Sequence, residues 1–98
     1  MVKRLECTVS GRVQMVMFRD FTQRNARKRG VVGTVQNMPD STVRIIAEGE
    51  EEALHDLLKK LRVGPPFAKV ENIDVVWKEA EGQFTNFNIV YKNIWDRI

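Results

Sequence analysis

The sequence predicts an α+β sandwich: an antiparallel sheet with two helices packed on one of its faces. Three observations predict it. Period-two alternation in Leu5-Cys7-Val9, Val43-Ile45-Ala47 and Phe87-Ile89-Tyr91 marks strands. Two stretches with helical spacing lie among them, the more regular being Leu54, Leu57, Leu58 and Leu61 at i, i+3, i+4, i+7. Finally, 98 residues with 43% hydrophobic content suit one modest core, because chains usually divide only well beyond this size. One domain over 1–98 is expected, with a core at about 5–91 and a short extension, 92–98.

The first strand, through Leu5, Cys7 and Val9, is expected to end at Ser10-Gly11. From Phe18 the period changes, with Phe18, Phe21, Thr22, Asn25 and Ala26 recurring at helical spacing and Gly30 placed as the stop after three basic residues. Val31 to Asn37 reads as a second strand, joined through the turn Met38-Pro39-Asp40-Ser41 to a third at Val43, Ile45 and Ala47. The leucine stripe forms the second helix and Gly64-Pro65-Pro66 ends it. Val70, Ile73, Val75 and Trp77 mark a fourth strand, and Phe87, Ile89 and Tyr91 a last one. The order is βαββαβ with an extra final strand, the split βαβ, ferredoxin-like arrangement. That fold hosts many activities, so function must come from a site.

Composition narrows the classes. A net charge of +3 favours anionic partners without choosing between a small phosphate compound and nucleic acid. The basic cluster Arg24, Arg27, Lys28, Arg29 and the acidic cluster Glu48, Glu50, Glu51, Glu52 read first as solvated helix faces or ends. The single cysteine, Cys7, excludes an internal disulfide framework and a multi-cysteine metal site, and its place in the strand alternation makes it a small buried residue. The apolar runs are too short for a membrane span or a signal-peptide core, so a cytoplasmic protein is expected. So small a chain favours a shallow site built partly from backbone.

The segment Gly11-Arg12-Val13-Gln14-Met15-Val16-Met17-Phe18-Arg19 lies between the first strand and the first helix. A strand-to-helix loop directs backbone N–H groups at one point, and the helix N-terminus adds about half a positive charge there. Arg19, in the first helical turn, is placed to fork onto two phosphate oxygens. Asn37, just before the turn, carries an amide that donates and accepts at once, which suits orienting a water molecule. Arginine on phosphate and amide on water suffice for in-line phosphoryl transfer, where positioning and charge stabilisation dominate, if a substrate oxygen takes the proton from water.

These residues resemble the acylphosphatase family. The resemblance rests on Gly11-x-Val13-Gln14-x-Val16-x-Phe18-Arg19, then Ala26, Gly30, Gly33, Val35-x-Asn37 and Asp40, and further on Gly49, Gly64-Pro65, Ala68 and Val70. It covers about Leu5 to Tyr91 and implies the same ferredoxin-like fold. It further implies that Arg19 binds the phosphoryl group, that Asn37 positions the nucleophilic water, and that the loop Gln14, Met15, Val16, Met17, Phe18 supplies an amide cradle. No metal or organic cofactor is implied. The implied substrates are small acyl phosphates, such as carbamoyl phosphate or glycolytic acyl phosphates, split to carboxylate and phosphate; a monomer is expected.

The chain departs from the family at Met15, where glycine is usual, at Ser41, often glycine, at Arg29, usually leucine, and in the tail from Lys92 to Ile98. If the loop needs left-handed angles at Met15, the substitution costs about 1–3 kcal/mol of strain or reshapes the cradle. Two rivals follow. A catalytically impaired binding or regulatory domain would bind anions without turnover. A nucleic-acid module would need stacking aromatics, and the third strand has none between Thr42 and Glu48. Taken alone, His55 reads as solvent-facing, Met15 and Met17 as loop or gap-filling residues, and Trp77, Phe84 and Phe87 as core or sheet-edge packing. Trp95, with Ile94 and Ile98, lies in a tail that either folds back or meets another chain.

Overall fold

A computed structural model describes residues 1–97. Its elements run β1 (Val2–Arg12), α1 (Phe18–Lys28), β2 (Val32–Asn37), β3 (Val43–Glu50), α2 (Glu51–Val63), β4 (Lys69–Glu79), β5 (Phe87–Val90) and a 3-10 turn, Ile94–Arg97. The sheet has the order β4-β1-β3-β2-β5. The first four strands pair antiparallel as expected, but β5 joins β2 in parallel, so the complete sheet is mixed. Both helices lie over the sheet, α1 against β2 and β5, α2 against β3 and β4.

Register explains the core. Leu5 faces Ala47, Cys7 faces Ile45 and Val9 faces Val43 across β1 and β3, so all six share one buried face. The leucine stripe of α2 is buried against that face as its spacing predicts. In α1 the buried residues are Phe18, Thr22 and Ala26, while Phe21 and Asn25 are only half-buried. The polar centre of this stripe is tolerated because Thr22 Oγ1 donates to Phe18 O at 2.8 Å. Helix α1 closes with the Val31 amide donating to Ala26 O at 3.0 Å around Gly30 at φ 68°, the wrap that glycine favours. Arg29 does not extend into solvent: Nη1 turns back to Asn25 O at 2.9 Å.

Strand β1 runs past its expected end. Its register against β4 shifts between Ser10 and Gly11, and Gly11 takes φ 118°. A Cβ there would lie 2.2 Å from Lys69 O, so only glycine admits this bulge, which re-aims the chain into the loop before α1. Trp77 packs at the sheet edge rather than in the core: it is 39% exposed, with its ring centroid 4.8 Å from that of exposed His55. Phe87 is fully buried, and Tyr91 falls just beyond β5.

The sheet face turned away from the core carries an ion network. Arg4 donates to Glu6 at 2.8 Å and to Glu48 at 3.0 Å, and Glu48 also accepts from the amides of Glu81 and Gly82 at 2.9 and 3.1 Å. Arg44 and Lys78 complete the network at Glu6, and Phe84 covers Arg4 from 5.9 Å. The acidic cluster therefore splits: Glu48 is buried, while Glu50, Glu51 and Glu52 are exposed at the start of α2.

Candidate active site

The loop between β1 and α1 is held from both ends. Val13 is buried in the core, and the Gln14 side-chain amide donates to Met38 O and Thr42 O, both at 2.9 Å. That clamp fastens the loop to the β2–β3 turn, itself shaped by Asp40, whose carboxylate accepts from the Thr42 hydroxyl at 2.6 Å and amide at 3.1 Å. These two bonds hold Asp40 below its ordinary value, the hydroxyl contributing most.

Between the fixed points the backbone reverses at Met15 (φ 62°) and again at Met17 (φ 64°). The left-handed angle at Met15 is thus adopted by methionine itself, at a cost of about 1–2 kcal/mol over glycine. Such reversals turn successive amides toward a common side and make anion-binding concavities. Helix α1 begins directly after Met17 with no side-chain cap among the described residues, so its first amides remain available for an anion.

The loop forms one wall of a cavity of about 310 Å³. Arg19 and Asp20 line it from α1, Asn37 from the end of β2, Ile89 from β5 and Tyr91 from just beyond it. Met15 and Met17 are exposed at its wall, and Phe18 closes its base from the core. The structure thus brings Arg19, Asn37, Met15, Met17 and Phe18 together. Gln14 and Val16 take no part in the lining: Gln14 clamps the turn and Val16 packs on the core.

Asn37 is only 7% exposed, and its Oδ1 is buried with no hydrogen-bond partner among the described residues. A buried acceptor left unmatched costs about 1–3 kcal/mol, and Asn37 is among the residues that line the cavity. Arg19 projects its guanidinium over the Tyr91 ring, 5.2 Å from the centroid, and bonds Asp96 in the tail. Sequence reasoning missed Asp20, Ile89, Tyr91 and Asp96. Asp20 had a signal in its place beside Arg19 in the first helical turn; the others converge only through the parallel pairing of β5. Among the described residues no group of three or more His, Cys, Asp or Glu side chains is placed to hold a metal ion.

Comparison with known proteins decides the family. The acylphosphatase family model matches residues 5–89. The chain belongs to the acylphosphatase family. It is 44% identical over 87 residues to the acylphosphatase of Salinibacter ruber, covering 89% of this chain and 92% of that one. The acylphosphatase of Deinococcus radiodurans is 48% identical over 79 residues, covering 81% and 91%. Among solved structures, the acylphosphatase from Bacillus subtilis superposes with a TM-score of 0.88 at 41% identity, covering 93% of this chain and all of that one. Acylphosphatases are hydrolases acting on acid anhydrides: they split acyl phosphates into carboxylate and phosphate. No helix among the described residues is long and apolar enough to cross a membrane.

Proposed function

We propose that this acylphosphatase binds the phosphoryl group of a small acyl phosphate between Arg19 and the amides of the Gln14–Phe18 loop, and that Asn37 orients the attacking water. The observation that carries this reading is the unmatched, buried Oδ1 of Asn37, a residue that lines the cavity Arg19 also lines. Oδ1 accepts a hydrogen bond from the water and leaves a lone pair of the water oxygen directed at phosphorus. The water oxygen attacks in line, the P–O bond to the acyl group breaks, and the electron pair leaves on the carboxylate. A phosphoryl oxygen receives the proton, so a dianionic substrate yields a carboxylate and a monoanionic phosphate. Arg19 and the cradle stabilise charge on the equatorial oxygens. Asp20 is tied to Arg24 at 2.9 Å and is given no part as a base.

The same reading takes the chain as one domain with its core at about 5–91, acting as a monomer because core and cavity are both complete within one chain. Nucleic acid is disfavoured as a partner: β3 bears no aromatic residue, and the sheet face where bases would stack is covered by the Arg4–Glu6–Glu48 network. A cytoplasmic location agrees with the lone, unpaired Cys7.

Hydrolysis of benzoyl phosphate in the presence of a chelator tests the assignment. Arg19→Ala and Asn37→Ala are each expected to lower turnover about 10²–10³-fold. Full activity in either variant contradicts its role. A second reading, anion binding without turnover, is favoured by one observation, the strained Met15 within the cradle. An inactive parent that Met15→Gly activates identifies an enzyme damaged there; inactivity in both, with phosphate still bound, favours the second reading.

A further inference from the structure

Two of the N–H groups of Arg19 are already engaged by the tail. Nη1 donates to Asp96 Oδ1 at 2.9 Å and Nη2 donates to the Asp96 backbone carbonyl at 2.8 Å. The two side chains are largely withdrawn from water, at 18% and 14% exposure. The segment after β5 is shaped to present this carboxylate. Asn93 Oδ1 accepts from the amides of Trp95 and Asp96 at 3.0 and 3.2 Å and starts the 3-10 turn, while Asp96 Oδ2 accepts from the Lys92 amide at 3.0 Å.

We propose that Asp96 is an internal competitor for the phosphoryl site: it sits on Arg19 in the resting protein and is displaced, with the turn that carries it, when the substrate binds. This rests on the reading of Arg19 as the phosphoryl ligand. The Nη1 and Nη2 hydrogens that hold Asp96, one on its carboxylate and one on its backbone carbonyl, cannot at the same time be given to two phosphoryl oxygens. The phosphoryl dianion has the advantage once it arrives. It carries more charge and also engages the loop amides, whereas Asp96 is held by Arg19 and by its own turn. Every ligand then binds with its intrinsic affinity reduced by the fraction of molecules whose tail is open.

The test measures inorganic phosphate both by calorimetric titration and as a competitive inhibitor of benzoyl phosphate hydrolysis. Asp96→Ala is expected to tighten phosphate binding about 3–10-fold and to lower KM by a similar factor, with kcat unchanged. Phosphate binding that is unchanged or weaker in Asp96→Ala, with a lower kcat, overturns the proposal and makes Asp96 a positioning residue for Arg19. Trp95, 76% exposed beside Asp96, reports tail displacement directly once Trp77→Phe leaves it as the only tryptophan. Saturating phosphate is expected to shift its emission in that protein, and to leave it unchanged when Asp96→Ala is added. Emission that ignores bound phosphate in the protein with Asp96 intact overturns the tail's displacement alone. Undiminished hydrolysis by Arg19→Ala overturns the underlying reading as well.

Discussion

At Met15 a branchless but bulky side chain takes φ 62° and stands 95% exposed, so nothing it packs against offsets its backbone strain. Met15→Gly relieves a left-handed residue at the cost of a more flexible unfolded chain. The expected balance is a gain of about 0.5–1 kcal/mol, read as a higher urea midpoint with an unchanged slope. Cys7 makes the opposite kind of statement. Burial pushes its thiol up to about 12, with the charges of Arg62 and Arg44 opposing only weakly, and its side chain is 1% exposed. A colourless native protein in a thiol-reagent assay, reacting stoichiometrically only after denaturant is added, is the expected outcome. Rapid labelling under native conditions would contradict the packing of β1.

Elements are held as much by the outer sheet face as by the core. Burial pushes Glu48 upward, but the amides of Glu81 and Gly82 and the Arg4 guanidinium outweigh it and leave its carboxyl below the ordinary 4.5. The Arg4 hydrogen bond, helped by Lys78, likewise lowers Glu6 against its burial. A depressed carboxylate stabilises the fold above its unfolded value, and that contribution is lost as pH falls through its folded value. Thermal stability is therefore expected to change little through these groups from neutral pH to about 5 and to decline below about 4.5. Glu48→Gln should flatten part of that decline. It should also cost about 1–3 kcal/mol at neutral pH, because Arg4 loses a charged partner in a site where it is only 8% exposed. A pH profile identical to the parent's would mean that Glu48 ionises as freely in the folded protein as in the unfolded one.

Much of this was legible along the chain, because register and helix faces follow directly from side-chain period. The strands around Leu5, Ile45 and Phe87 and the stripe of Leu54 to Leu61 all bury as their spacing predicts. The bulge at Gly11 was not legible, since it is set by contact with Lys69, which lies far along the chain. Neither was the partner of β5: alternation shows that a strand exists and not which edge accepts it. The acidic cluster misled as a group, because Glu48 on β3 points to a desolvated network that no local pattern announces. For the site, Arg19 and Asn37 were singled out by side-chain chemistry and by family resemblance, and the fold places both on one cavity. Tyr91 and Asp96 join them only because β5 runs parallel to β2 and returns the chain to the start of α1.

For the whole molecule, binding and stability are linked through Arg19. A ligand that binds the folded chain alone raises stability by RT ln(1 + [L]/Kd), about 1.4 kcal/mol at tenfold excess over Kd. Inorganic phosphate is expected to raise the melting temperature of the parent, and to raise that of Arg19→Ala only by the amount any strongly hydrated salt produces. Equal shifts in both would place the anion elsewhere on this basic chain.

The central claim, a phosphoryl group on Arg19 and a water on Asn37, is tested most directly by separating kcat from KM for benzoyl phosphate in Asn37→Ala. Phosphoryl binding by Arg19 and the loop survives that substitution, so KM is expected to stay near the parent's while kcat falls about 10²–10³-fold. A kcat within a few-fold of the parent's would mean that the buried amide at the end of β2 does not orient the water, and would contradict the mechanism.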